Sequence, residues 1–417
     1  MNKNFNKTIL SLLWIVFTDS IGWGIAFSVF AALFLDRQTA FLSSTLPDSS
    51  RYMIYEFVLA SYSIFMFLFA PVIGGISDCY GRKPSLKISM LGLTIGFIFS
   101  ALGCYWSSLS ILIIGRVISG MTAGSFSVAQ AAVVDISNQH TKSFYFSLLV
   151  IANCLGFSFG PVLEGMFIHN EVLPTGTITF LVGAGMSLIG FFSVLFLFNE
   201  TYIPDKLNTK LNIWNDFLNI KIAFFKPILN KYLISFLFSM IAYGLFFSYV
   251  PIFLHQQFMT SSSSIGVILS ALTILLSLSL LLAGKYIFSH FDKKKSILSI
   301  QFFLFVVYII LSFYIRSFLF SCFLLGCTSF LIGLMYIGLL TLISDATEKN
   351  WQGRVMGVVA SVSAITWGIG PILSGVVSSM GASAGFICAA LLMSVGFGTF
   401  ILSKKTIESI SNSTTLV

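Results

Sequence analysis

Charge is what this sequence has least of. Only 9% of its 417 residues are Asp, Glu, Lys or Arg, against about 25% in an ordinary soluble domain. A surface facing water needs charged side chains to cover it. The shortage therefore excludes a soluble enzyme, a nucleic-acid-binding protein and a disordered chain. Histidine is nearly as scarce, and His140, His169, His255 and His290 are too scattered to suggest a metal cluster. The six cysteines form no CxxC pair and mostly fall in apolar runs, so they read as small buried hydrophobes. No Walker-type phosphate loop is present to hold ATP, and no HExxH, nucleophile elbow or acidic metal cluster supplies enzyme chemistry. Neither an enzyme nor a cofactor nor a bound metal is expected.

What the sequence does have is apolar length. Hydrophobic residues make up 57% of the chain, Phe alone contributes 45, and the mean hydropathy is +0.95. A bilayer core about 30 Å thick is crossed by about 20 apolar residues in a helix. Runs that meet this test cover 8–34, 54–76, 87–106, 108–134, 143–168 and 174–198. After a more polar stretch come 232–254, 263–290, 296–315, 317–343, 353–378 and 382–402. They are continuous rather than alternating, which excludes an outer-membrane barrel. The expected fold is all-α and integral to the membrane, with 12 transmembrane helices. It divides into an N-terminal six-helix bundle (1–198), a linker (199–231), a C-terminal six-helix bundle (232–402) and a tail (403–417). The first run is too long for a signal peptide and lacks a small-x-small cleavage site, so it is expected to stay as the first span.

The net charge of +8 is informative through its placement. With the N-terminus inside, 19 Lys and Arg fall in inner segments. Arg37, Arg51 and Arg316 fall in outer loops, and Arg116 lies within a span. This imbalance predicts that both termini are cytoplasmic, with the basic loops against anionic lipid heads. The linker is polar, and Trp214, Phe217 and Leu218 at helical spacing suggest a short interfacial helix there.

The halves repeat. Asp135-Ile136-Ser137 after the fourth span matches Asp345-Ala346-Thr347 after the tenth, at an offset of 210. So does Gly160-Pro161-Val162-Leu163-Glu164-Gly165 in the fifth span with Gly370-Pro371-Ile372-Leu373-Ser374-Gly375 in the eleventh. Tyr80-Gly81-Arg82-Lys83 and Phe291-Asp292-Lys293-Lys294 match at 211. Two halves of like orientation imply a pseudo-two-fold axis along the membrane normal.

Few ionisable residues lie within spans. The longest motif stands at the end of the second: Gly74-Gly75-Ile76-Ser77-Asp78-Cys79-Tyr80-Gly81-Arg82-Lys83-Pro84. Gly74 would let a neighbouring helix approach. Asp78 could pair with a cation or a helix N-terminus. Gly81 permits the positive φ of a tight turn. Arg82 and Lys83 would anchor the inner leaflet, and Pro84 suits a first helical turn. Arg116, Ser119, Ala123, Ser127 and Gln130 recur at helical spacing in the fourth span as one polar or small-residue stripe. Asp19, Gly22, Trp23 and Ala26 share a face of the first span. Intramembrane charges are expensive and point to function. Glu164 and Arg116 both fall in the outer thirds of their helices, where they could pair. Tyr243 and Trp367, polar-tipped and at mid-span, could line a cavity with Trp23 and Gln130. Glu56, near an outer helix end, reads as solvated.

The motif from Gly74 to Lys83 resembles the loop signature of the major facilitator superfamily, G-x-x-x-D-x-x-G-R-[RK], at every key position. Span count, repeat and linker agree with it over nearly the whole chain. The resemblance implies a secondary transporter with two bundles rocking about a central site, and a loop (Gly74, Asp78, Gly81, Arg82, Lys83) that latches one access state. It implies that Asp135 and Asp345 are acidic caps, and that Arg116 is the arginine associated with proton coupling. Asp19-Ser20-Ile21-Gly22-Trp23-Gly24 is similar to the D-x-x-G-x-G of the tetracycline-exporter-like drug:proton antiporters. There it implies a proton carrier or a partner for a cationic substrate, and a bacterial inner-membrane location. Ser28 and Ala31 stand near where that branch carries prolines. Gly156, Gly160, Pro161 and Gly165 resemble the antiporter motif ending G-P-x-x-G-G, and Gly370 and Pro371 echo them. They would pack the halves closely at a hinge. Glu164 replaces the first glycine of that final pair. The expectation is proton-coupled efflux of a small molecule by a monomer, with Asp19, Arg116 and Glu164 as the coupling or substrate residues. Nutrient, metabolite or siderophore permeases and a transporter-derived sensor are the alternatives.

Overall fold

The computed structural model describes residues 3–37, 39, 41–137, 142–167, 173–202, 227–282, 291–313, 316–347 and 352–414. The expected helix around Trp214 lies outside them. Helices α1 (Lys3–Phe30), α2 (Asp48–Tyr80), α3 (Arg82–Tyr105), α4 (Leu109–Met121), α5 (Ser125–Ile136), α6 (Lys142–Phe167) and α7 (Thr177–Phe196) form the first half. Helices α8 (Pro227–Phe258), α9 (Ser262–Leu282), α10 (Lys293–Ser312), α11 (Phe318–Asp345), α12 (Gln352–Val377) and α13 (Ala384–Thr414) form the second. Twelve stretches are long and apolar enough to cross a membrane, with α4 and α5 together making the fourth. They agree with the twelve runs read from the sequence. The last helix continues to Thr414, through most of what was expected to be a tail.

Three local features depart from uniform spans. The first helix closes in a π-helical turn, Ala31–Leu35. Arg51, counted above as an outer-loop cation, is 1% exposed and caps that end. It donates to the carbonyls of Phe34 at 3.2 Å and Ser43 at 2.9 Å. The fourth span breaks at Thr122–Gly124, where Gly124 takes a φ of +147° that favours glycine. The break divides the stripe begun by Arg116 and Ser119, which are buried on α4, from Ser127 and Gln130, which lie on α5 with Ser127 exposed. That stripe is therefore not one helical face.

Contacts gather the chain into two units: residues 1–213 with 259–274, and 214–258 with 275–417. In the first, α1 packs on α6 and α7, and α3 on α4 and α7. The start of α9 joins this unit, where the hydroxyls of Ser158 and Thr273 bond at 2.7 Å and Ser270 donates to the Ser158 carbonyl. In the second, α8 packs on α12 and α13, and α10 on α11 and α13. The pairings repeat helix for helix, as the sequence repeat requires. Large apolar side chains such as Leu319, Phe196 and Val267 point outward, while serine and threonine are buried and mostly return their hydroxyls to a carbonyl three or four residues earlier. That distribution suits a hydrocarbon solvent.

Candidate functional site

Asp19 sits within α1, half-buried, and its Oδ2 accepts a 2.7 Å hydrogen bond from the Ser125 hydroxyl. Ser125 opens α5 immediately after the Gly124 break. The interruption thus brings the positive end of a short helix, and a hydroxyl, towards an intramembrane carboxylate. Among the described residues Asp19 makes no ion pair.

Arg116, on α4, is 1% exposed. Its guanidinium lies over two aromatic faces, with Cζ 4.6 Å from the Tyr62 ring centroid and 5.6 Å from that of Phe30. Cation–π contacts of this kind are worth about 0.5–2 kcal/mol each. Nε and Nη2 are buried without a hydrogen-bond partner among the described residues. Glu164 does not supply one. It is 2% exposed and its Oε2 accepts from the Thr179 hydroxyl on α7, while Oε1 is unpartnered. Arg116 and Glu164, which could have paired, do not meet: the carboxylate turns to α7 and the cation to the α1 and α2 aromatics.

The half-buried aromatics gather in their own units. Trp23 meets the Tyr62 ring edge-on at 4.8 Å and Phe27 at 6.5 Å. Tyr243 meets Trp367 at 5.0 Å and Phe247 at 5.3 Å. Gln130, on α5, is half-buried too. A pocket of about 400 Å³ lies in the second unit, against Phe291, Lys295 and Phe303.

At the other end of α2 the loop forms a closed network. Gly81 has a φ of +101°. Arg82 is 8% exposed, not splayed onto the inner leaflet. It reaches Asp78 at 2.6 Å, Asp135 at 2.9 Å and the Ser77 hydroxyl at 2.9 Å. Lys83 Nζ donates to the Phe198 carbonyl at 2.7 Å. Lys293 pairs with Asp345 at 2.7 Å in the second unit. Lys293 and Asp345 are the repeat partners of Arg82 and Asp135, so the acidic caps serve the same bond twice. Gly74 departs from its expected role, since a Cβ there would meet nothing within 4 Å.

The glycines of α6 pack inside the first unit. A Cβ on Gly160 would lie 2.3 Å from the Ile25 nitrogen and one on Gly156 2.2 Å from the Phe17 carbonyl, both on α1. In the second unit a Cβ on Gly370 would lie 2.5 Å from the backbone of Gly244 on α8. Pro161 and Pro371 fall inside their helices, and Gly165 faces open space. Within the units these glycines make two close crossings, α1 with α6 and α8 with α12.

The sequence profile of the Major Facilitator Superfamily matches residues 12–371 and 233–413. The chain belongs to the major facilitator superfamily. Like other members it is a transporter and not an enzyme, as expected from the sequence. Among similar curated proteins are the class H tetracycline resistance protein of Pasteurella multocida, 27% identical over 88% of both chains. The class C protein of Escherichia coli is 25% identical over 88% of this chain and 89% of its own. The fold is shared with the human organic anion transporter MFSD10, at a TM-score of 0.72 and 18% identity over 96% of this chain and 100% of that one. It is shared also with a D-xylose-proton symporter, at 0.70 and 13% identity over 95% and 97%.

Four residues of this superfamily member were missed or misread in the sequence. Glu200 accepts the backbone N–H groups of Arg82 at 2.9 Å and Lys83 at 3.0 Å, and so caps α3 from the end of the chain segment that follows α7. Nothing local marks it, because its partners are 117 and 118 residues away. Ser125 could have been found from Gly124-Ser125, a helix-start signal inside an apolar run. Tyr62 stands between Ser61 and Ser63 in a span rich in aromatics, and nothing in that spacing singles it out. Glu56, expected to be solvated, is 1% exposed.

Proposed function

We propose that this chain is a proton-coupled secondary transporter that exports a small amphipathic molecule by alternating access. Superfamily membership supports transport, and relatives named for tetracycline resistance support export. The observation that carries proton coupling is the Asp19 carboxylate, set within an apolar helix, held by Ser125 and paired with no cation among the described residues. A carboxylate so placed can accept and release a proton without breaking an ion pair. Coupling needs substrate and proton to differ in affinity between the two access states. Arg116, buried without a counter-ion among the described residues, is the charge that an ionised Asp19 or a substrate anion would answer. Glu164 is a second candidate to exchange a proton.

In this reading Trp23, Gln130, Tyr243 and Trp367 contact the substrate. The network of Asp78, Arg82 and Asp135, echoed by Lys293 and Asp345, latches one access state beside Gly81 and Lys83. The glycine–proline crossings at Gly160 and Gly370 are hinges. The protein is a monomer in a bacterial inner membrane, with both termini cytoplasmic and its basic loops against lipid heads. An inward permease for a nutrient is the second reading, favoured by Glu164 where the antiporter motif has glycine.

Everted and right-side-out vesicles with an imposed pH gradient separate the two. Export by antiport predicts tetracycline accumulation in everted vesicles acid inside, collapsing when the gradient is dissipated. A permease predicts gradient-driven uptake of a nutrient into right-side-out vesicles instead. Tetracycline movement indifferent to the gradient would sink the proposal.

A further inference from the structure

Tyr62 belongs to no motif in the sequence, yet it stands beside two of the charges within spans of the first unit, Asp19 and Arg116. It lies on α2 and is 3% exposed. One face of its ring carries the Arg116 guanidinium at 4.6 Å. The Trp23 ring meets it edge-on at 4.8 Å, and the Trp23 side chain hydrogen-bonds its hydroxyl. Asp19 stands one helical turn before Trp23 on α1, so its carboxylate and the Arg116 guanidinium of α4 flank Tyr62 from two helices. The position is fixed by backbone as well. A Cβ on Gly120 of α4 would lie 2.4 Å from the Tyr62 carbonyl, so α4 runs directly against this turn of α2.

We infer that Tyr62 is the positioning residue of the coupled step, holding Arg116 on its ring and facing Asp19 with its hydroxyl, so that a change of charge at Asp19 alters the placement of Arg116. The physical basis is short. In a low-dielectric site the charge at Asp19 acts on the hydroxyl dipole and on the guanidinium alike, so neutralising it changes the field in which Arg116 rests. The hydroxyl dipole, anchored by Trp23, is the polar group common to both. The inference rests on reading Asp19 as the proton site. Tyr62 itself takes up no proton in it.

The test uses Trp23 as reporter, in a full-length chain whose other five tryptophans are replaced by Phe. The emission of Trp23 in detergent is titrated with pH in wild type, Asp19→Asn and Tyr62→Phe. The expected result is a titration in wild type, its loss in D19N, and a midpoint displaced by about half a pH unit or more in Y62F, the size of a few tenths to one kcal/mol of lost interaction. Transport is read in parallel. Tyr62→Phe keeps the ring, so tetracycline counterflow stays within about threefold while gradient-driven efflux falls about tenfold. Trp23→Phe removes the indole that anchors the hydroxyl and shifts the pH dependence of efflux in the same direction. It serves as the second variant if Y62F does not fold.

A midpoint lost in D19N but unmoved in Y62F, with efflux at the wild-type rate, would overturn the role of Tyr62 and leave Asp19 standing. A titration that persists in D19N, or none in wild type, would overturn the proton site and this inference with it.

Discussion

Arg116 combines two costs: a cation 1% exposed and two nitrogens without a partner among the described residues. A charge at membrane depth costs about 2.5–3.5 kcal/mol even on insertion scales, and the ring faces of Tyr62 and Phe30, at about 0.5–2 kcal/mol each, do no more than roughly balance it. The arginine therefore brings no clear net gain in stability. Arg116→Met should therefore leave the thermal midpoint of detergent-solubilised protein unchanged or raise it, while gradient-driven efflux falls at least tenfold or so. A large drop in the midpoint would make the arginine structural. The sequence flagged Asp19, Arg116 and Glu164 correctly as charges inside spans, because hydropathy exposes a charge wherever it stands. It could not say whom each one meets. Glu164 and Arg116 share a depth by residue counting, but side-chain direction sends one to Thr179 and the other to Tyr62.

At the scale of elements, helix ends and helix crossings position the chemistry. Glu200 satisfies two amide groups at the start of α3, groups a helix cannot satisfy for itself. Glu200→Ala should cost about 1 kcal/mol, as loss of an N-terminal cap does, and Glu200→Gln less. Thermal unfolding in detergent measures both, and an unchanged E200A would deny the cap. The crossings give a sharper contrast. Gly160→Val and Gly370→Val would force backbones apart at 2.3 and 2.5 Å, and each should cost several kcal/mol or prevent folding. Gly74→Ala and Gly165→Ala meet no atom within 4 Å and should change stability by less than about 0.5 kcal/mol. Fluorescence-detected size exclusion distinguishes the pairs, and equal yields of all four would refute the crossings. Helix length was legible because apolar runs are continuous. The break at Thr122–Gly124 was not, since a single Gly inside an apolar run looks the same whether it bends the chain or packs it.

For the whole molecule, the repeat was the most legible feature and the structure returns it twice. The helix pairings recur from unit to unit, and the Arg82–Asp135 pair recurs as Lys293–Asp345. The first pair is largely buried and the second exposed, so only the first should matter much to stability. The charges within spans are not repeated: Asp19, Arg116 and Glu164 all belong to the first unit, while the described spans of the second carry their charges at helix ends. Among the described residues the duplicated scaffold thus carries its charges within spans in one unit. Why that is so was hidden from the repeat itself, since an offset reports shared ancestry of the frame and says nothing of where a proton binds.

The central claim is that Asp19 exchanges a proton for each turn of transport. The direct measurement is proton movement driven by substrate alone. Purified protein is reconstituted in liposomes with an internal pH dye, and an outward tetracycline gradient is imposed with no pH gradient at the start. The account predicts that tetracycline efflux acidifies the lumen with wild type and not with Asp19→Asn, at equal amounts of folded protein. Acidification that survives in D19N, or tetracycline efflux through wild type with no proton entry, would contradict it.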